Sequence, residues 1–351
     1  MCAEMQSANY TPWTGRMVWD GRELQHFDDW SYELDETGIN QLRSAVTASL
    51  SSTKPLAEQS HRDFDLSNLS ERLLALHEEL LHGRGFTLIR GLSKTGWTDA
   101  ELTRAYWFIG SMFGIPVSQN ARADLLGHVT DLRKTDSSAV RIYQTNAAQP
   151  FHSDSCDIVG LLCLRPARSG GESAIASSAT IHNQLLDKNP EALRTLYKEF
   201  ICDRYGEIPE GKAPFYPVRV FNSVDGNLVC CGMDPDIRSA PRLDGVDELN
   251  KSQVSALDAF QKTAKETALN MTLQRGDIQL VNNLTVVHAR ESFEDYAELD
   301  QRRYLLRLWL SSPLGRKLPE FLRERWGNIA VGSQRGGIRV PGVQPQVNFE
   351  P

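Results

Sequence analysis

Three things are scarce in this chain of 351 residues, and each scarcity closes off a class of function. Long apolar runs are missing: no stretch of 18 apolar residues occurs, so the sequence predicts no membrane-spanning helix. The opening "MCAEMQSANY" also lacks the basic and apolar pattern of a secretory signal. Positive charge is in deficit, with 38 Lys and Arg against 45 Asp and Glu, a net charge of -7 and a pI near 5.7. Such a balance offers no field for nucleic acid or an anionic membrane surface. Paired cysteines are missing too: the six, at 2, 156, 163, 202, 230 and 231, contain no C-x-x-C, and the adjacent Cys230 and Cys231 argue against a zinc site or a disulfide framework. Reduced thiols fit a cytoplasmic address, and Cys156 and Cys163 read as core packing. Internal repeats and low-complexity tracts are absent as well.

A hydrophobic content of 40% over this length suffices for one large core, so a single domain is expected. Residues 1–69 read as an N-terminal extension packing on that core, 70–312 as the core, and 313–351 as a C-terminal tail. Helices are expected near 37–51, 70–82, 98–112, 180–199 (broken at Asn189-Pro190) and 247–268, with a hairpin turning at Asp225-Gly226. The Pro/Gly-rich 205–217 reads as a loop, a candidate lid. From Leu314 onward the chain turns basic and glycine-rich, and a poorly packed tail is expected unless a neighbouring subunit holds it. Strands following helices without a βαβ rhythm suggest an α+β protein: an antiparallel double-stranded β-helix, or jelly roll, flanked by helices.

The chemistry-bearing residues are His152 and Asp154 in "QPFHSDSCDIVGLLCLRP" and, 134 residues beyond Asp154, His288 in "NNLTVVHARESF". Two imidazoles and a carboxylate can hold one face of an octahedral iron(II) and leave positions open for reaction. The His-x-acid pattern alone decides nothing: 8 histidines and 45 acids give about one match by chance, and this chain has at least four. His77 and Glu79 lie in a leucine-patterned helix where i and i+2 diverge, and they read as surface residues. His61 and Asp63 open "HRDFDLSN", which matches a kinase catalytic loop but lacks the upstream glycine loop and strand lysine. His152 and Asp154 instead precede an apolar run of strand length; alternation puts them on one face if the strand begins at or before Phe151. A buried histidine bonded to an ordinary aspartate is the alternative for the pair alone.

Arg303 and Arg307 in "QRRYLLRLWL" are four apart on a strand-like segment, so they share a face with Leu305 and Trp309, away from Tyr304, Leu306 and Leu308. A buried guanidinium calls for an anionic partner, and its fork matches a carboxylate. Glu291, Glu294 and Asp295 are the protein's own alternatives. In "RPARSGGES", Gly170 and Gly171 permit a tight turn ahead of Ser173, whose hydroxyl can reach the same carboxylate.

Taken together, "GRGFTLIRGL", "FHSD", "SGGES", "VVHAR" and "RRYLLRLWL" resemble the taurine dioxygenase-like (TauD/TfdA) group of iron(II)- and 2-oxoglutarate-dependent oxygenases, within the clavaminate synthase-like superfamily, over residues 70–312. The resemblance implies iron bound by His152, Asp154 and His288. It implies 2-oxoglutarate held by Arg303 and Ser173, with Glu172 and Ser173 standing where the family usually has aspartate and threonine. Arg307 matches an arginine that contacts anionic substrates in several relatives; Tyr143, Asn146 and Trp309 are wall candidates by proximity. The implied reaction consumes dioxygen and 2-oxoglutarate, releases succinate and carbon dioxide, and oxidises an unactivated C–H bond of a small molecule by hydroxylation, desaturation or cyclisation. A homodimer would fit the resemblance. A non-catalytic binding protein of the same fold and a zinc hydrolase using the same three ligands remain as other readings.

Overall fold

The computed structural model describes residues 10–133, 142–338 and 342–350. Eleven strands build two facing sheets. In chain order they are β1 (Ser31–Glu33), β2 (Phe86–Arg90), β3 (Ile115–Val117), β4 (Leu126–Val129), β5 (Gln149–His152), β6 (Ile158–Arg165), β7 (Ser173–Ser177), β8 (Leu269–Met271), β9 (Ile278–Asn282), β10 (Val286–Arg290) and β11 (Tyr304–Ser311). The larger sheet runs β1-β2-β9-β6-β11-β3 with β4 also on β11, and the smaller runs β8-β7-β10-β5. All pairings are antiparallel except β1 with β2. This is the expected double-stranded β-helix.

Between the sheets lie Phe86, Val159, Ile175, Val281, Val286 and Leu305, all buried. The other face of the larger sheet is covered by α1 (Glu36–Leu50), α2 (Ser67–His82) and α3 (Asp99–Phe113), which bury Leu42, Leu73 and Phe108 against Leu162, Leu280 and Leu306. The other face of the smaller sheet is covered by α4 (Ser178–Lys188), α5 (Pro190–Leu196) and α6 (Lys251–Glu266). Local chemistry sets the helix limits. Thr98 with Glu101 and Asn250 with Gln253 form capping boxes at the starts of α3 and α6. Asn189 caps α5 while Pro190 at its first position ends the run of α4. The hairpin turns at Asp225 and Gly226, both at positive φ (49° and 76°), as a two-residue turn of the primed type requires.

Three expectations fail. His77 is not a surface residue: it is 5% exposed, sits against the Phe113 ring and meets Ser312 Oγ at 3.4 Å, because α2 is covered along that side by α3 and the chain after β11. The end of the 205–217 loop is a strand, Phe215–Val218, paired with Phe200–Asp203. The tail after Leu314 is not loosely held. Leu318, Leu322, Trp326 and Ile329 join the core cluster behind the smaller sheet. Arg335 is fully buried, with Nη2 donating to Asp157 Oδ1 at 2.7 Å. A basic, glycine-rich composition resembles a loose tail, but here one of its cations is the counter-ion of a core aspartate.

Candidate metal centre

His152 ends β5 and His288 lies in β10, and the register sets them directly opposite each other. Directly paired positions bring Cβ atoms to about 4.5–5.5 Å, and the two rings come to 4.2 Å between centroids. Asp154 lies beyond the end of β5, so strand alternation does not place it. A clamp does. The Asn283 side chain accepts from the Asp154 backbone N–H (2.8 Å) and donates to the carbonyls of Asp154 (2.5 Å) and Cys156 (2.8 Å). The carboxylate then stands 3.9 Å from His152 Nε2 and 3.7 Å from His288 Nε2, and the three ligand atoms lie within 4.8 Å of one another. Donors bound to one ion at about 2.0–2.2 Å stand roughly 3–4 Å apart, so a small closure completes the site.

The imidazoles are in the protonation state that a metal ligand needs. A carbonyl only accepts, so the 2.9 Å contact of His152 Nδ1 with the Pro150 carbonyl puts the proton on Nδ1 and the lone pair on Nε2. The Gln149 amide nitrogen, 2.9 Å from Nε2, uses that lone pair here and must turn away when a metal takes it. Burial, reinforced by neighbouring His152, holds His288 down to about 3, and burial lowers His152 also, so both rings are neutral. For Asp154 burial works against the charge, but Arg307, His288, His152 and the Trp309 indole together outweigh it and hold the carboxyl below its usual range. Trp309 Nε1 donates to Oδ2 at 2.8 Å, and Arg307 Nη1 is 3.5 Å away.

Two cavities meet at this centre. A cleft of about 590 Å³ leads out past Gln119, Tyr143, Arg307 and Trp309 to Tyr205, Glu207, Arg242 and Arg325. A chamber of about 40 Å³ lies inward, walled by His152, His288, Ser173, Arg290, Arg303 and Leu305 among others. Both Arg303 and Arg307 are buried on the inward face of the chain at β11, as their spacing predicts. Their situations differ. Arg307 donates from Nε to Gln119 Oε1 (2.7 Å) and lies 4.8 Å from the ring centres of both Tyr143 and Trp309. Arg303 Nη1 has no partner among the described residues, and Nη2 reaches only the Gly171 carbonyl at 3.4 Å. Gly171 is needed there: at φ 74°, a Cβ would stand 3.0 Å from Arg303 Nε. Ser173 lines the same chamber, with its hydroxyl donating to Gln279 Oε1 at 3.0 Å. Asn146 is exposed and lies on neither wall.

Sequence reasoning missed Asn283, Gln149 and Arg290. The first two carry no pattern of their own. Arg290 did carry one, since it stands two residues after His288 on a strand and so shares its face. It is 7% exposed, its Nε and Nη1 lack partners among the described residues, and burial pushes both Arg290 and Arg303 down to about 10. Two buried cations with idle donors beside two imidazoles and a carboxylate fit a ferrous ion and a dicarboxylic acid, and no acidic side chain among the described residues lines their chamber.

Comparison with known proteins agrees with this geometry. The sequence is 32% identical over 327 residues to FR-33289 synthase of Streptomyces rubellomurinus (strain ATCC 31215), covering 91% of this chain and 96% of that protein. It is 29% identical over 306 residues to taurine hydroxylase-like protein SAT17 of Stachybotrys chartarum (strain CBS 109288 / IBT 7711), covering 83% and 78%. In fold it is similar to asparagine oxygenase solved with Fe(II), 2S,3S-3-hydroxyasparagine and succinate (TM-score 0.60, 14% identity, 80% of this chain and 93% of that one). It is also similar to the non-heme iron oxygenase OrfP solved with Fe and alpha-ketoglutaric acid (TM-score 0.57, 16% identity, 81% and 95%). The pattern of the Taurine catabolism dioxygenase TauD, TfdA family matches residues 52–309, beginning ahead of the boundary at 70 that the motifs suggest. The chain belongs to that family and is an iron(II)- and 2-oxoglutarate-dependent dioxygenase.

Proposed function

We propose that His152, Asp154 and His288 hold the iron, that Arg303 and Ser173 hold the distal carboxylate of 2-oxoglutarate in the inner chamber, and that a small anionic molecule is oxidised in the outer cleft against Arg307, Tyr143 and Trp309. The observation that carries this reading is the buried Arg303, with an unpartnered Nη1, on the chamber wall that also carries both imidazoles. A buried cation without an anion costs more than one whose ligand supplies it. When bound, the iron couples reduction of dioxygen to oxidative decarboxylation of 2-oxoglutarate, with succinate and carbon dioxide as products.

The chain's own residues position and exclude. Neutral imidazoles and an ionised Asp154 present three lone pairs to one point without a proton having to leave. The inner chamber is narrow and walled by Arg290, Arg303 and both imidazoles, so it would orient the keto acid's distal end. Once Asp154 is committed to a dication, the Arg307 charge beside it is less neutralised, which favours an anionic group on the substrate. Tyr143 and Trp309 cover the guanidinium and fix its direction. Tyr205 and Glu207 bring the 205–217 segment to the cleft rim, which suits a closing element. Five free, buried cysteines among the described residues suit a reducing, cytoplasmic setting, and the net charge of -7 suits a small-molecule partner over nucleic acid.

Anaerobic titration tests the reading. Iron(II) with 2-oxoglutarate should give a weak visible charge-transfer band that neither gives alone, and oxygen should then convert 2-oxoglutarate to succinate. An intact protein that gives no band, or turnover that persists with zinc and without oxygen, would refute it.

A further inference from the structure

Arg290 is used by nothing described so far. It stands opposite Ser173 in the pairing of β10 with β7, so side chains at these two positions reach the same chamber. Its guanidinium has two jobs at its two ends. Nη2 donates to the carbonyls of Ile142 (3.3 Å), Thr145 (3.0 Å) and Ala147, and thereby pins the segment that presents Tyr143 to Arg307 in the outer cleft. Nε and Nη1 have no partner among the described residues; they point to opposite sides of the guanidinium, so each is a single idle donor. The carbons of the Arg290 and Arg303 guanidinium groups lie 5.1 and 5.0 Å from the centre of one ring, Phe293, and both side chains line the one chamber. Two like charges buried together are tolerated when an anion joins them, and a carboxylate has about four lone-pair sites, more than one arginine fork can use.

On the functional reading above, we propose that Arg290 is a second guanidinium on the distal carboxylate of 2-oxoglutarate, and that cosubstrate binding thereby fixes the cleft wall that carries Tyr143. The keto acid then orders part of the substrate site before the substrate arrives.

Pyruvate provides the discriminating probe, because it keeps the chelating 2-oxo acid and lacks the distal carboxylate. With anaerobic iron(II)-loaded protein, Arg290→Gln should raise the Kd of 2-oxoglutarate about 10- to 100-fold, read from the charge-transfer band, and leave that of pyruvate within about twofold. In the wild type, 2-oxoglutarate should slow hydrogen exchange of the 142–147 backbone and pyruvate should not; in Arg290→Gln neither should. Arg290→Lys keeps the charge and loses the guanidinium's fixed donors, so it should show the same selectivity for the ligand with the distal carboxylate to a smaller degree, and it decides the matter if the glutamine variant does not fold. Equal weakening of both ligands would make Arg290 a structural prop, and unchanged 2-oxoglutarate binding would remove it from the site; either overturns the proposal. A wild type that binds neither ligand would instead sink the oxygenase reading, and this inference with it.

Discussion

The inner chamber and the outer cleft share His152, Gln149, Tyr143 and Arg307 on their walls, yet they treat charge in opposite ways. In the chamber, Arg290 and Arg303 are buried with three idle donors and no acid on the wall among the described residues. In the cleft, each arginine is near a carboxylate: Arg307 is 3.5 Å from Asp154, Arg325 is 3.9 Å from Glu207, and Arg242 is 2.6 Å from Asp203. The chamber wall thus carries idle donors and no acid, which is the arrangement the proposed dicarboxylic cosubstrate would complete. The cleft is already balanced, so its walls fix a size and a single positive point at Arg307 but do not spell out one substrate.

Three variants would break or sharpen that contrast. Asp154→Ala should abolish both halves of the chemistry, lowering succinate formation by at least about 1,000-fold and releasing iron, since on the proposed reading the carboxylate is a ligand, and it is also the counter-ion of Arg307; retained iron and turnover would end the assignment. Arg303→Gln should act on the chamber alone, raising the 2-oxoglutarate requirement about 10- to 100-fold while kcat at saturation changes only a few-fold. A fall in kcat with an unchanged requirement would show that the idle donor serves something else. Arg307→Gln should act on the cleft, raising the KM of the primary substrate roughly tenfold and loosening the link between 2-oxoglutarate consumption and substrate oxidation. If it weakened 2-oxoglutarate as strongly as Arg303→Gln does, the two spaces would be one site.

Much of this was legible in the sequence, for reasons that differ by residue. The break at Asn189-Pro190 was readable because it is a strong local stop and start signal, whereas the helix expected from 247 begins only at Lys251, after the Asn250 cap. The inward face of β11 was readable because a period of two carries Arg303, Leu305, Arg307 and Trp309 to one side. Asp154 reached its place for a reason that alternation does not capture, since the strand stops at His152 and Asn283, 129 residues away, makes the clamp. Long-range partners of this kind leave no local trace. The burial of Arg335 against Asp157 is another such pairing, and it turned an expected loose tail into part of the core.

The smallest effect is expected at Ser173, and it bears on how finished the chamber is before its ligand enters. The hydroxyl now donates to Gln279 Oε1, while the Gln279 amide meets Met271 Sδ at 2.8 Å. For Ser173 to serve the distal carboxylate it must exchange one acceptor for another, so its net contribution is the difference between two hydrogen bonds and not the whole of one. Ser173→Ala should accordingly weaken 2-oxoglutarate only about two- to fivefold, with pyruvate unaffected. A loss as large as that of Arg303→Gln would mean that the serine is a primary contact and that Gln279 only holds it in reserve. No loss at all would leave the carboxylate to the guanidinium groups, and the small polar residue after Gly170-Gly171 would then serve the turn and the strand that follows it.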